Sequence, residues 1–331
     1  MTDVVDLAHE LIAQPSLTGS EAPAVQFART WLGEHGWSVT FQELSPGRGN
    51  IWASRGRGAV TLSTHLDTVP PYIGPSRNGS RLVGRGACDA KGIAAAMMVA
   101  AQSLADEDEH RIDLLFVVGE EKSSDGARAA NLLPATSRFL VNGEPTEGRL
   151  ASGAKGSMAV TVRTHGRAAH SAYPELGASA LTPMLALLST LEELELPTDP
   201  VLGRTTINVG TLNAGGEANI VPDAAVAQLM VRLVGDPAPV RAILGRWSVG
   251  RADLEFAPHV PAQHFASLPG FECAPVSFTS DIPLLDRWGT PLLLGPGSIS
   301  VAHTPHEFIE IEELRGSVHS YMRIVRTLLA S

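Results

Sequence analysis

"IDLLFVVGEE", residues 112–121, sets the frame for the chain. Apart from Asp113, every residue from Ile112 to Val118 is apolar, and Gly119 closes the run. Seven residues without polar alternation read as a strand covered on both faces, as central strands of a parallel α/β sheet are. Upstream, "WSVTFQE" (37–43), residues 50–54 and "AVTLST" (59–64) read as further strands, and "DAKGIAAAMMVAAQSLA" (89–105) as a buried helix. Downstream, "ARAANLLPA" is helical and "SRFLVNGEP" is strand again. Such alternation predicts a layered α/β domain. At the N-terminal side the order is helix, turn, helix, with Thr18 and Glu21 spaced as a capping box and Gly33 or Gly36 as the stop.

From about residue 155 the rhythm changes. "SMAVTVRTHG" is an alternating strand, "GASALTPMLALLSTLEEL" an amphipathic helix, and "TTINVGTLNAG" and "AAVAQLMVRLVG" two more strands. "APVRAILGRW" is a short helix and "ADLEFAP" a strand. The order β-α-β-β-α-β is that of a ferredoxin-like sandwich. "PLLLGPG" and "EIEELRGSVHSYMRIVRTLLA" then return to the first style as a strand and a closing helix. The expectation is an α/β catalytic domain (1–154 and 261–331) with an inserted ferredoxin-like α+β domain (155–260), hinged near 153–156 and 258–263.

The 331 residues include 25 basic and 35 acidic side chains, a net charge of −10. That balance argues against nucleic acid or an anionic membrane as partner, since both need clustered Lys and Arg. "MTDVVDLAHELIAQ" places Asp3, Asp6 and Glu10 where a secretory signal needs a basic start and an apolar core. Two cysteines, Cys88 and Cys273, make no disulfide framework and fit a reduced, cytoplasmic protein.

Five stretches put acids or histidines at strand ends or a helix start: "THLDTVP" (His65, Asp67), "GRGACDAKG" (Asp89), "VVGEEKSSDGA" (Glu120, Glu121), "VNGEPTEG" (Glu144) and "VAHTPHEF" (His303). Open α/β sheets bind ligands beyond the carboxyl ends of their strands. Histidine nitrogens and carboxylate oxygens on separate strand ends suit a two-zinc site. Taken singly each has a plainer reading: a structural His-Asp pair, acids at a helix start, a turn before Pro145, exposed loop histidines. The series is stronger than its members. "GRGACD" has Asp89 where a dinucleotide loop needs its third glycine, and "GAKGS" has its lysine before the glycine. G-x-S-x-G and H-E-x-x-H are both missing.

In this order the stretches resemble the acetylornithine deacetylase and succinyl-diaminopimelate desuccinylase family, grouped with aminoacylases and glutamate carboxypeptidases among co-catalytic zinc hydrolases. The likeness covers nearly the whole chain, including "GRAAHSAYP" of the insertion. It implies that His65 binds one zinc with Asp67 orienting its ring, and that Asp89 bridges two. It further implies Glu121 on one metal, Glu144 on the other and His303 completing the second set, with cobalt a substitute for zinc. Glu120 matches the general base. The insertion would be a lid and dimerisation domain, with His170 reaching across a homodimer to stabilise the oxyanion. Asn219, Arg232, Lys155, Ser157 and Thr279 match positions that touch substrate. His306 stands where relatives carry Asn or Asp.

Desuccinylases of the family have two adjacent arginines where this chain has Ala154 and Lys155. "EEKSSDGAR" is similar to deacylases that release lysine or ornithine from a carrier protein. The expected activity is removal of an N-acyl group from an amino acid of ornithine, citrulline or lysine type. A dipeptidase or carboxypeptidase of the same superfamily stands second, cleaving a short peptide. A binding protein that kept the fold without catalysis has no support, since Glu120 and all five ligands are present.

Overall fold

The computed structural model describes residues 2–331 and resolves them into two compact units. The first comprises residues 2–151, 265–274 and 280–331 and is built on a six-stranded sheet. Its order is Ser38–Ser45, Arg48–Ser54, Ile112–Val117, Val60–His65, Phe139–Asn142, Thr290–Leu293. The first two form an antiparallel hairpin, and the second runs antiparallel to Ile112–Val117. The last four are mutually parallel. Ile112–Val117 and Val60–His65 are buried along their whole length, as the unbroken apolar run requires.

The Lys91–Asp106 helix lies on these two central strands and packs against Val4–Ile12 and Ile311–Leu329. Nearly every one of its side chains is buried, which explains its Ala/Met composition: small residues admit close neighbours on all sides. A β-carbon on Gly92 would sit 2.2 Å from the Ala87 carbonyl oxygen, so the turn carrying Asp89 can lie flat against the helix start. The hairpin Ser76–Asn78 and Arg81–Val83, which pairs with Phe308–Glu310, has no counterpart in the sequence reading.

The second unit, residues 152–264 and 275–279, has the four-stranded antiparallel order Thr206–Ala214, Ala224–Leu233, Gly156–His165, Asp253–Val260. With the helices Leu181–Leu188 and Pro237–Ser248 this is the ferredoxin-like arrangement. Met158, Val160, Val162, Leu229 and Val231 alternate inward and pack with Met184, Leu187, Leu244 and Trp247. The edge strand Thr206–Ala214 is exposed over most of its length. Among the described residues no helix is long and apolar enough to cross a membrane.

One local expectation fails. Thr18 and Glu21 form no capping box: the helix begins at Ala22 without a side-chain cap. The Thr18 hydroxyl donates to Asp67 Oδ2 at 2.9 Å, and Glu21 accepts from Arg48 Nε at 2.8 Å. Their partners Asp67 and Arg48 are buried, and leaving a buried polar group unpaired costs more than a helix cap contributes.

Candidate metal centre

Parallel pairing brings the ends of the central strands into line. His65 is in register with Val117, and Ser63 with Asn142, so the residues after Val117 and Asn142 emerge beside His65. Gly119, at φ +80°, turns the chain sharply; a β-carbon there would meet Asp125 Oδ1 at 2.1 Å. The turn presents Glu120 and Glu121. Arg48 holds its far side through paired bonds to Asp125, 2.7 and 2.9 Å, and Asn50 through Gly126 and Val118.

His65 is buried, with Nε2 3.0 Å from Asp89 Oδ1. Its Nδ1 lies 2.9 Å from the Asp67 carbonyl oxygen and 3.5 Å from Asp67 Oδ1. The backbone carbonyl is thus the closer partner, and the Asp67 carboxylate, still near enough to favour a charged imidazole, has nearer donors of its own. It accepts the Glu120 N–H at 3.0 Å, the Glu121 N–H at 3.1 Å and the Thr18 hydroxyl. Asp67 ties the His65 strand end to the turn bearing both glutamates. His303, in the left-handed backbone region at φ 62°, sets Nε2 2.9 Å from Glu121 and 3.4 Å from Asp89 Oδ2. The two oxygens of Asp89 therefore face two different histidines.

His65, Asp89 and Glu121 each offer one ligand atom within 4.8 Å of the others. Glu144 is buried and close enough to repel Glu120 and Asp89. Burial raises the carboxyl of Glu120 well above its ordinary range, with Asp281, Asp89 and Glu121 adding to the rise. Burial, then Glu120 and Asp89, do the same to Glu144. Burial would lower His65, but Asp67 and Asp89 outweigh it and raise it strongly. Asp89 and Glu121 push His303 up to about 10. Among the described residues, no Lys or Arg forms an ion pair with Asp89, Glu120, Glu121 or Glu144. Buried carboxylates in such excess call for cations, and imidazole with carboxylate is a donor set that divalent metals accept.

The proposed substrate residues lie in the second unit, in two groups. Ser157 is in register with Arg232, and burial with Arg232 lowers the Lys155 ammonium. No carboxylate among the described residues pairs with either cation. His170 and Asn219 meet at the opposite end, where the Ser171 N–H donates to the Asn219 carbonyl at 2.8 Å and His170 bridges Ile220. The Ala172 N–H donates to His170 Nδ1 at 3.1 Å, which leaves the ring proton on Nε2. Paired strands run from Ser157 to His165 between the groups, roughly 26 Å at the usual rise of a strand. Thr279 closes the segment 275–279 of the same unit.

Two buried acids escaped the sequence reading. Asp281 stands two residues beyond Thr279 in "FTSD"; both its oxygens lack a hydrogen-bond partner and burial pushes it up to about 7. Glu307, four residues after His303, is wholly buried. The available signal was a charged residue placed directly against an apolar run, "EFIE".

The family model for peptidase family M20/M25/M40 matches residues 61–327. The chain belongs to that family. A probable carboxypeptidase of Aspergillus clavatus is 37% identical over 368 residues, covering 97% of this chain and 81% of the relative. Among solved structures, a tripeptidase from Staphylococcus aureus superposes with a TM-score of 0.82 at 19% identity, covering 99% of this chain and 98% of that one. An M20 family metallo-carboxypeptidase from Sulfolobus solfataricus gives 0.77 at 18%, covering 99% of both. As a member of this peptidase family, the protein is a hydrolase of amide bonds.

Proposed function

We propose that the protein is a two-metal amidohydrolase whose substrate amide leads to an amine bearing a free carboxylate. The C-terminal residue of a short peptide fits that description, and so does an N-acyl amino acid. The observation that carries the reading is the convergence of His65, Asp89 and Glu121 with Glu120 on the adjoining residue. In this reading His65, Asp89 and Glu144 hold one metal, and Asp89, Glu121 and His303 the other. The His303–Glu121 contact favours that pairing over one of His303 with Glu144. The resident ions are zinc, with cobalt a working substitute, and when bound they polarise the carbonyl and acidify water.

Glu120 takes a proton from the attacking water on its carboxylate and returns it to the departing nitrogen. The Asp67 carboxylate accepts the Glu120 backbone N–H at 3.0 Å, which holds the turn that presents this base. Arg232, helped by Lys155 and Ser157, binds the substrate carboxylate; two neighbouring cations without an acidic partner are suited to that task. His170 donates from Nε2–H to the oxyanion, with Asn219 and Thr279 contributing polar contacts to substrate. A small substrate cannot span the distance between His170 and Arg232 on one sheet. In this reading one group comes from a second copy, and the protein works as a homodimer through the inserted domain. The exposed edge strand, with Val209 and Leu212 uncovered, supports this.

The carboxypeptidase and tripeptidase names of relatives favour peptides. The acetylornithine-type motif order keeps N-acyl amino acids as the second class. Ala154 and Lys155 in place of paired arginines weigh against succinyl substrates. The test is amine release from a panel of dipeptides, tripeptides and N-acyl amino acids, with zinc or cobalt present and again after chelation. Chelator-sensitive turnover of one class supports the reading and fixes the substrate. Turnover that survives full metal removal refutes it. Metal binding without turnover directs the search to acyl groups on a carrier protein.

A further inference from the structure

Glu307 has no role in the chemistry above, yet its surroundings are among the most specific in the first unit. One oxygen, Oε1, accepts three backbone N–H groups: Gly86 at 2.9 Å, Cys88 at 3.1 Å and Asp89 at 3.0 Å. The other, Oε2, accepts Arg85 Nη1 at 2.6 Å. Its own carbonyl accepts the Gly84 N–H at 3.0 Å. From Glu307 onward the chain zips against the strand that precedes Gly84, with Phe308 opposite Val83 and Glu310 opposite Arg81. The segment from Gly84 to Ala90 lies outside any strand or helix; Arg85 and Ala87 donate to the carbonyls of Ile73 and Gly84, and the N–H groups of Gly86, Cys88 and Asp89 depend on Glu307.

From this geometry we infer that Glu307 is a positioning residue for the metal centre. It fixes the backbone of Asp89 so that the two carboxylate oxygens fan toward His65 and His303. The inference rests on the two-metal reading and extends it to how the shared ligand is aimed. Three N–H bonds converging on one anionic oxygen pin both the height and the rotation of the Asp89 backbone. Glu307 also lies on the chain that carries His303, so one side chain sets the spacing between a ligand from each loop. A residue that merely balanced Arg85 would not need the N–H cradle. Partners that orient metal ligands change metal affinity by about ten- to a hundred-fold when removed.

The experiment measures Co2+ affinity by chelator competition, and the cobalt absorption spectrum, on the full chain and two variants. Glu307→Ala removes the cradle and the ion pair; Arg85→Met removes the ion pair and leaves the three N–H bonds. The expected result is a loss of about tenfold or more with an altered spectrum for Glu307→Ala, and parental spectrum and near-parental affinity for Arg85→Met. A folded Glu307→Ala chain that loses less, or an equal loss in Arg85→Met, overturns the inference. If Glu307→Ala does not fold, the same comparison is read on Glu307→Asp. Its carboxylate, one methylene shorter, falls back from the fixed N–H groups, while the long Arg85 side chain can follow the charge. If neither folds, Glu307 is a residue of the fold and the inference is overturned. Failure of the parent chain to bind Co2+ would instead refute the metal reading itself.

Discussion

Replacing Asp67 by Asn tests the core of the site with almost no change of volume. In the parent, Oδ1 serves the Glu120 N–H, and Oδ2 serves the Glu121 N–H and the Thr18 hydroxyl. The amide keeps one acceptor. The better orientation leaves the oxygen at the Oδ2 position with its two donors and turns NH2 toward the Glu120 N–H. One buried donor then faces another, which costs about 2 kcal/mol on the usual scale of an unmade buried hydrogen bond. For a unit of this size that lowers the melting temperature by roughly 4–8 °C. The larger effect falls on rate, because the released N–H belongs to Glu120. A base displaced by an ångström costs about a hundredfold in kcat. Thermal melting and steady-state rates on fully metal-loaded protein read both quantities, with Thr18→Val as control. That variant removes one donor and spares Glu120, so its rate should stay near the parent's. An Asp67→Asn enzyme that is folded and metal-loaded, with kcat within about threefold of parent, would refute the idea that Asp67 aims Glu120.

Two other expectations concern stability and assembly. Asp113 is buried beneath Gly58, with Oδ1 unpartnered and Oδ2 accepting from Trp52, and burial pushes its carboxyl from the ordinary 3.8 to about 6. The folded state holds the proton more tightly than the unfolded chain, so this group drains stability as pH rises through that window, by about 3 kcal/mol when fully ionised. Asp113→Asn should therefore raise the denaturation midpoint at pH 7 and lose that advantage below about pH 4, as denaturant titrations across pH would record. Mixing the inactive variants Glu120→Ala and His170→Ala should restore activity, to about a quarter of parental sites with random exchange, because one site of each mixed dimer is then intact. Verified exchange with no recovery would mean that His170 acts within its own chain.

Legibility in the sequence followed the range of the interactions. The unbroken run of Ile112–Val118 announced a strand buried on both faces, and the alternation in "SMAVTVRTHG" one buried on a single face; both are local patterns set by side-chain period. The capping box misled because its spacing is equally local, while the true partners of Thr18 and Glu21 are Asp67 and Arg48. Glu307 and Asp281 were invisible for the same reason: each owes its burial to segments far away in sequence.

The sequence by itself determined the two kinds of fold, most of the strands along the chain and the series of acids and histidines at their ends. Hydrophobic period and turn residues encode those features within a few neighbours. Only the tertiary structure decided which histidine faces which oxygen of Asp89, that Asp67 holds the Glu120 turn, and that Glu307 holds Asp89. It also decided that His170 and Arg232 stand at opposite ends of one sheet. Those relations are hydrogen bonds and strand registers between distant segments. Their partners are fixed only when the parallel strands align and the buried polar groups find one another.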